Sequence, residues 1–163
     1  MKKIKFDSFL EGKFVDLVLL DEKVVKKTDW YQWMNHKDNT DLLDVGKFPN
    51  TINDQLLYLK NNLDSKKTIL GKGKISKKLQ LGIVVKETNT LVGMVAAYNF
   101  NYFTRTCAVA LITDLKKNLK NRLQVFKESQ DLLIDHLFFK MNFRKIYSGA
   151  ISEELSKLTE RIW

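Results

Sequence analysis

The spacing of apolar residues along this chain changes period several times, and each change marks an element. "KFVDLVLL", residues 13–20, is apolar and partly alternating, which predicts a strand after the turn-prone Glu11-Gly12 pair. From Val24 through Trp30, Trp33 and Met34 the apolar positions fall three or four apart, as on a short helix, and "NHKDNTD" closes it with loop chemistry. The only proline, Pro49, precedes "NTINDQLLYLKNNL". There Ile52, Leu56, Leu59 and Leu63 share one helical face, and Thr51 with Asp54 resembles a capping box.

Residues 64–78, "DSKKTILGKGKISKK", read as a polar, glycine-broken linker with a short apolar centre. Three strand-like runs follow, "LQLGIVVKE", "LVGMVAAYNFN" and "TRTCAVALITD", separated by connections short enough for hairpins, so an antiparallel meander is expected. From Leu123 the period is helical again. Leu123, Phe126, Leu133 and Leu137 line one face, Ile134, Phe138 and Met141 widen it, and Asn142 can end the helix. "RKIYSGAI" reads as a strand and "SEELSKLTERIW" as a helix with Ser152 at its N-cap. The order predicts one α+β domain over residues 1–163, a mixed α/β sandwich without internal repeats. A right-handed strand-helix-strand crossover makes the strand from Thr106 parallel to the one after Arg144.

Composition narrows the class without naming a chemistry. The chain has 163 residues, 44% of them hydrophobic, which suffices for a core without disulfides or metals. No apolar run reaches the length of a spanning helix, about 18 to 20 residues, and the basic start "MKKIKFDSFLEG" lacks the apolar segment of a signal peptide. Cytoplasmic location is the expectation, and the single Cys107, in "TCAVALI", reads as a small core residue. The net charge of +9 points to anionic company such as a phosphate-bearing cofactor. Lysine supplies most of it and only four arginines occur, so nucleic acid is not the expected partner, and no membrane association is expected. His36 and His136 stand in no Cys or carboxylate pattern that reads as a metal site. "GKGK", residues 71–74, lacks the span and the Lys-Ser/Thr ending of a phosphate-binding loop and reads as a flexible loop.

Three segments carry a family resemblance. "DWYQWMNHKDNT", "TNTLVGMVAAYN" and "LLIDHLFFKMNFRKIYSGA" resemble, in order and spacing, segments of the GNAT superfamily of acetyl-CoA-dependent N-acetyltransferases. They are most similar to the branch of ribosomal-protein N-terminal and nucleotide-amino-sugar acetyltransferases. The resemblance implies a central, mostly antiparallel sheet in which the strand before the main helix splays from its parallel neighbour. It also implies that pantetheine pairs with the exposed backbone of that strand, and that the pyrophosphate rests on amides at the helix entrance, where unpaired N–H groups favour an anion. On this chain the cofactor residues so implied are Leu111, Ile112, Thr113, Asn121, Arg122, Leu123 and Gln124, and the cosubstrate is acetyl-CoA.

The family's turn carries two small positions where Gln124 and Phe126 stand here. A Cβ at such a position obstructs close approach of a phosphate, so either the loop is shifted in register with Lys116, Lys117, Lys120 and Arg122 substituting side-chain charge, or acetyl-CoA is not bound in the usual way. Trp30, Trp33, Asn35 and His36 are implied on the acceptor side. The Glu and Tyr that many family members use for proton transfer are absent, which leaves Asp114 and Tyr98 as catalytic candidates, with Tyr102 nearby. The family continues past the last helix with two more strands, whereas this sequence stops at Trp163; a shortened chain, or a partner completing the sheet in a homodimer, is the expectation. The expected function is acetyl transfer to a primary amine: an amino sugar, a protein N-terminus or a small amine. The alternative is a non-catalytic scaffold that serves binding or assembly.

Overall fold

The computed structural model of the protein describes residues 4–40, 47–62, 68–70, 73–75, 77–113 and 122–148. A six-stranded sheet organises them, in the order β1 (Ser8–Glu11), β2 (Val15–Leu19), β5 (Lys78–Val85), β6 (Thr90–Asn101), β7 (Thr106–Thr113) and β8 (Lys145–Ser148). All neighbours are antiparallel except β7 and β8, which run parallel across the helical crossover, as expected. Glycine at 93 permits the close strand approach in the middle of this meander. A Cβ there would lie 2.7 Å from the Ile112 carbonyl oxygen.

Each face of the sheet is covered by helix. On one side lies α5 (Arg122–Asp135), continued by a π turn over His136–Lys140. Val125, Phe126, Leu133 and Leu137 pack there against Val15, Leu17, Leu81, Ile83, Val95, Cys107 and Val109. On the other side α1 (Glu22–Lys27), α2 (Trp30–Trp33) and α4 (Ile52–Asn62) contribute Val24, Val25, Trp30, Trp33 and Leu59 to a second core with Val18, Val84, Leu91 and Met94. The pleat explains the partition: successive strand residues point to opposite faces, so Leu17 joins one core and Val18 the other.

Several elements differ from the expectations. The helix expected from Val24 to Met34 is two helices. Thr28 caps the first with its N–H on the Val24 carbonyl at 3.0 Å, and its hydroxyl then accepts from the Trp30 N–H at 3.3 Å, so the chain turns before it coils again. Part of the expected loop is a short helix, α3 (Lys37–Thr40). The supposed linker contains a hairpin, β3 (Thr68–Leu70) with β4 (Gly73–Ile75), in which Lys74 pairs with Ile69 rather than lying in a flexible loop.

On α4 the capping box forms as read: the Thr51 N–H donates to Asp54 Oδ2 at 2.9 Å, and the Asp54 N–H donates back to Thr51 Oγ1 at 3.2 Å. The stripe of α4 is rotated, however, so that Gln55 is buried and Ile52 is exposed. The same happens on α5, where Leu123 is 53% exposed and Val125 takes the core position. Ser129 is tolerated there because its hydroxyl donates to the Val125 carbonyl at 2.6 Å. Asn142, at φ 62°, ends the helical run in the left-handed conformation. The helix expected after Ser152 lies outside the described residues.

Candidate functional site

The parallel pair β7–β8 is shorter than β7 itself. Its registered partners run from Thr106 with Lys145 to Val109 with Ser148. Above that level Ala110 to Thr113 remain paired to β6, through Ala96, Val95, Met94 and Gly93. Among the described residues no strand pairs with the other edge of Ala110–Thr113. Leu111 and Ile112 alternate between the two cores, Leu111 toward the α5 side and Ile112 toward the cluster of Trp30 and Trp33. Thr113 ends the strand, nearly buried. Asp114 and Asn121 lie outside the described residues.

The entrance of α5 carries Arg122, half-buried, then Leu123 and Gln124, both exposed. No acidic residue stands in its first turn, the positive end of the helix dipole. Glu128, one turn further on, is committed elsewhere: it accepts from the N–H groups of Phe14 and Val15 at 2.9 and 3.1 Å. Phe126 is buried in the α5-side core together with Val109 and Leu133.

The residues expected on the acceptor side are placed differently from one another. Trp30 and Trp33 are completely buried, in the core beneath α1, α2 and α4. The Asn35 side chain pairs with the backbone of Asn50, donating to its carbonyl at 2.8 Å and accepting from its N–H at 2.6 Å, so its amide holds the chain ahead of α4. His36 is half-buried beyond α2, its N–H on the Trp33 carbonyl at 3.2 Å.

Tyr98, on β6, is registered between Lys78 of β5 and Ala108 of β7. Tyr102 lies in the β6–β7 turn against the Phe143 ring, 5.7 Å between centroids, and burial raises its hydroxyl pKa. His136 meets the edge of Phe9 at 5.2 Å, and burial, with Lys140 nearby, lowers its pKa. The Cys107 thiol is buried, which raises its pKa. Among the described residues no group of three or more His, Cys, Asp or Glu stands close enough together to hold a metal.

A polar network beside Tyr98 was not anticipated. The Tyr58 hydroxyl of α4 donates to Gln80 Oε1 at 2.6 Å, Lys78 Nζ donates to the same hydroxyl oxygen at 2.6 Å, and Gln80 Nε2 reaches Met94 Sδ at 2.7 Å. The only hint in the sequence is Gln80 itself, a polar residue within the apolar run of β5, where burial demands a partner.

The sequence matches no protein-family model and no curated protein. The fold matches solved structures over nearly its whole length. A GNAT-family acetyltransferase from Bacillus anthracis aligns with a TM-score of 0.69 at 13% identity, covering 94% of this chain and 81% of its own. The ribosomal-protein α-N-acetyltransferase RimL in complex with coenzyme A gives 0.71 at 12% identity, covering 93% and 80%. The microcin self-immunity acetyltransferase MccE in complex with acetyl-CoA and AMP gives 0.69 at 14% identity, covering 93% and 78%. With the parallel β7–β8 pair and the α5 crossover, these likenesses establish that the chain adopts the fold of the GNAT acetyltransferases.

Proposed function

We propose that this protein transfers the acetyl group of acetyl-CoA to a primary amine of an amino sugar, a protein N-terminus or another small molecule. One observation carries the reading: the edge of Ala110–Thr113 that has no strand partner among the described residues, next to a helix entrance free of acidic residues. Bound acetyl-CoA supplies an activated thioester. The backbone of Leu111, Ile112 and Thr113 would pair with the pantetheine amides. Asn121, Arg122, Leu123 and Gln124 would hold the pyrophosphate, with the guanidinium of Arg122 adding charge where the family has small residues.

In the reaction the amine nitrogen forms a bond to the thioester carbon and the carbon–sulfur bond breaks. The proton lost by nitrogen equals the one gained by the departing thiolate. Tyr98 and Asp114 are the proposed proton carriers. Trp30 and Trp33 support the acceptor side from beneath, and Asn35 and His36 border it.

A second reading, a scaffold without catalysis, is favoured by the absence of any Asp or Glu from β5, β6, β7 and β8, which removes the usual bases from those strands. Thermal unfolding separates the two. At a hundredfold excess over Kd a ligand bound only to the folded state adds about 2.7 kcal/mol, or about 5 to 10 °C in a chain of this size. Acetyl-CoA is expected to raise the melting temperature, and dephospho-CoA to raise it less. No shift at millimolar acetyl-CoA would decide for the scaffold.

A further inference from the structure

The sheet face opposite α5 has an unusual floor at the level where the registered β7–β8 pairs end. Ala96, Ala108 and Ala110 follow one another there across β6 and β7, and Ala110 is exposed. Pleat alternation puts Lys78 and Gln80 of β5, Tyr98 of β6, and Lys145 and Tyr147 of β8 on the same side, because Lys78 is registered with Tyr98, Tyr98 with Ala108, and Ala108 with Tyr147. Each lysine is held against a tyrosine ring: Lys78 Nζ lies 5.3 Å from the Tyr58 centroid, and Lys145 Nζ 4.8 Å from that of Tyr147. β5 and β8 are three strand spacings apart, about 14 Å. The two ammonium groups therefore flank a shallow trough floored by methyl groups.

Among the described residues, the side chains on the strands of this trough carry charge of one sign. The four strands β5 to β8 contain no carboxylate, and among the described residues none pairs with Lys145. Asp54, one turn before Tyr58 on α4, is held by Thr51. An ammonium ion entering such a place is repelled and gives up its proton more readily, whereas an oxyanion is attracted.

We propose that this trough binds amine acceptors that carry an oxyanion, carboxylate or phosphate, with Lys78 and Lys145 on the anion and the amine over Ala108 and Ala110; the inference rests on the acetyl-transfer reading for its reaction. Tyr58 is the positioning residue for Lys78. The same charges that hold the anion favour the neutral, nucleophilic form of the amine. This help adds to that of the proposed proton carriers Tyr98 and Asp114 and selects against polyamines.

The test compares matched acceptors with acetyl-CoA held constant, by following release of free CoA thiol. A phosphorylated amino sugar is compared with its parent sugar, a diaspartyl peptide with a dilysyl peptide, and spermidine serves as the polyamine. The anionic member of at least one pair is expected to have a kcat/KM about tenfold higher, and which pair responds tells a phosphate from a peptide carboxylate. Lys78→Gln and Lys145→Gln should each remove most of that advantage. Lys145 is exposed, so its variant is expected to fold.

A second readout needs no turnover: the Ala108 and Ala110 methyl resonances should shift when the phosphorylated sugar or the diaspartyl peptide is added alone, and not in the double lysine variant. Spermidine used as well as the anionic acceptors, an advantage that survives both substitutions, or methyl resonances unmoved by either anion would overturn the proposal. Methyl shifts without any stabilisation by acetyl-CoA would instead overturn the transferase reading and leave the anion site standing.

Discussion

The Glu128 carboxylate and the Phe14 backbone are joined by a hydrogen bond of 2.9 Å across 114 residues of sequence. The same carboxylate accepts from Lys13 and Val15, so one side chain of α5 satisfies three successive amides at the head of β2. These bonds tie the middle of α5 to the head of β2.

Replacing Glu128 with Ala leaves those amides to water, and Val15 is fully buried. The expected loss is about 1 to 2 kcal/mol, discounted for the exposed members of the set. Urea unfolding of the variant should show a lower midpoint at an unchanged slope.

Gly93→Ala is expected to be worse than its single added methyl suggests. The new Cβ would lie 2.7 Å from the Ile112 carbonyl oxygen and 3.0 Å from Thr113 Cγ2, and backbone cannot move aside as a side-chain tip can. Strands β6 and β7 would have to separate, at about 2 kcal/mol. Because Ile112 and Thr113 belong to the proposed cofactor edge, stabilisation by acetyl-CoA is expected to weaken in the same variant, as thermal shift would show.

Cys107 is buried and its thiol pKa is raised, so little thiolate forms and less is accessible. A disulfide reagent should modify it only as fast as the protein unfolds. Modification within seconds in native buffer would contradict the packing of β7.

His136 makes stability depend on pH with a definite sign. In the unfolded chain the imidazole titrates near 6.5, and in the fold burial, then Lys140, lowers that value. Between the two values the unfolded chain holds a proton that the folded one lacks, so stability is complete above about 6.5 and declines as pH falls through the folded value. His136→Gln should flatten that part of the stability profile, measured by urea melts from neutral pH downward.

How much of this was legible beforehand differs by element. The capping box of Thr51 and Asp54, the meander from Lys78 to Thr113 and the left-handed Asn142 are local features, set by residues near in sequence, and they appear as read. The hairpin of β3 and β4 was hidden because Gly71 and Gly73 suggested a break, although glycine also suits a tight turn between strands. The rotations that bury Gln55 and Val125 and expose Ile52 and Leu123 follow from what each helix meets: an amphipathic stripe broad enough to pack at several angles is aligned by the sheet beneath it.

The sequence by itself determined the periods, and therefore which residues alternate and where the chain turns, since these follow from backbone geometry and side-chain shape over a few positions. It also carried the likeness of three segments to an acetyl-transferring family. Only the tertiary structure decided that Trp30 and Trp33 are interior and that Asn35 holds Asn50. It alone brought Lys78, Tyr98 and Lys145 onto one face, because those outcomes depend on strand register and on apolar area shared between distant segments, which no local pattern encodes.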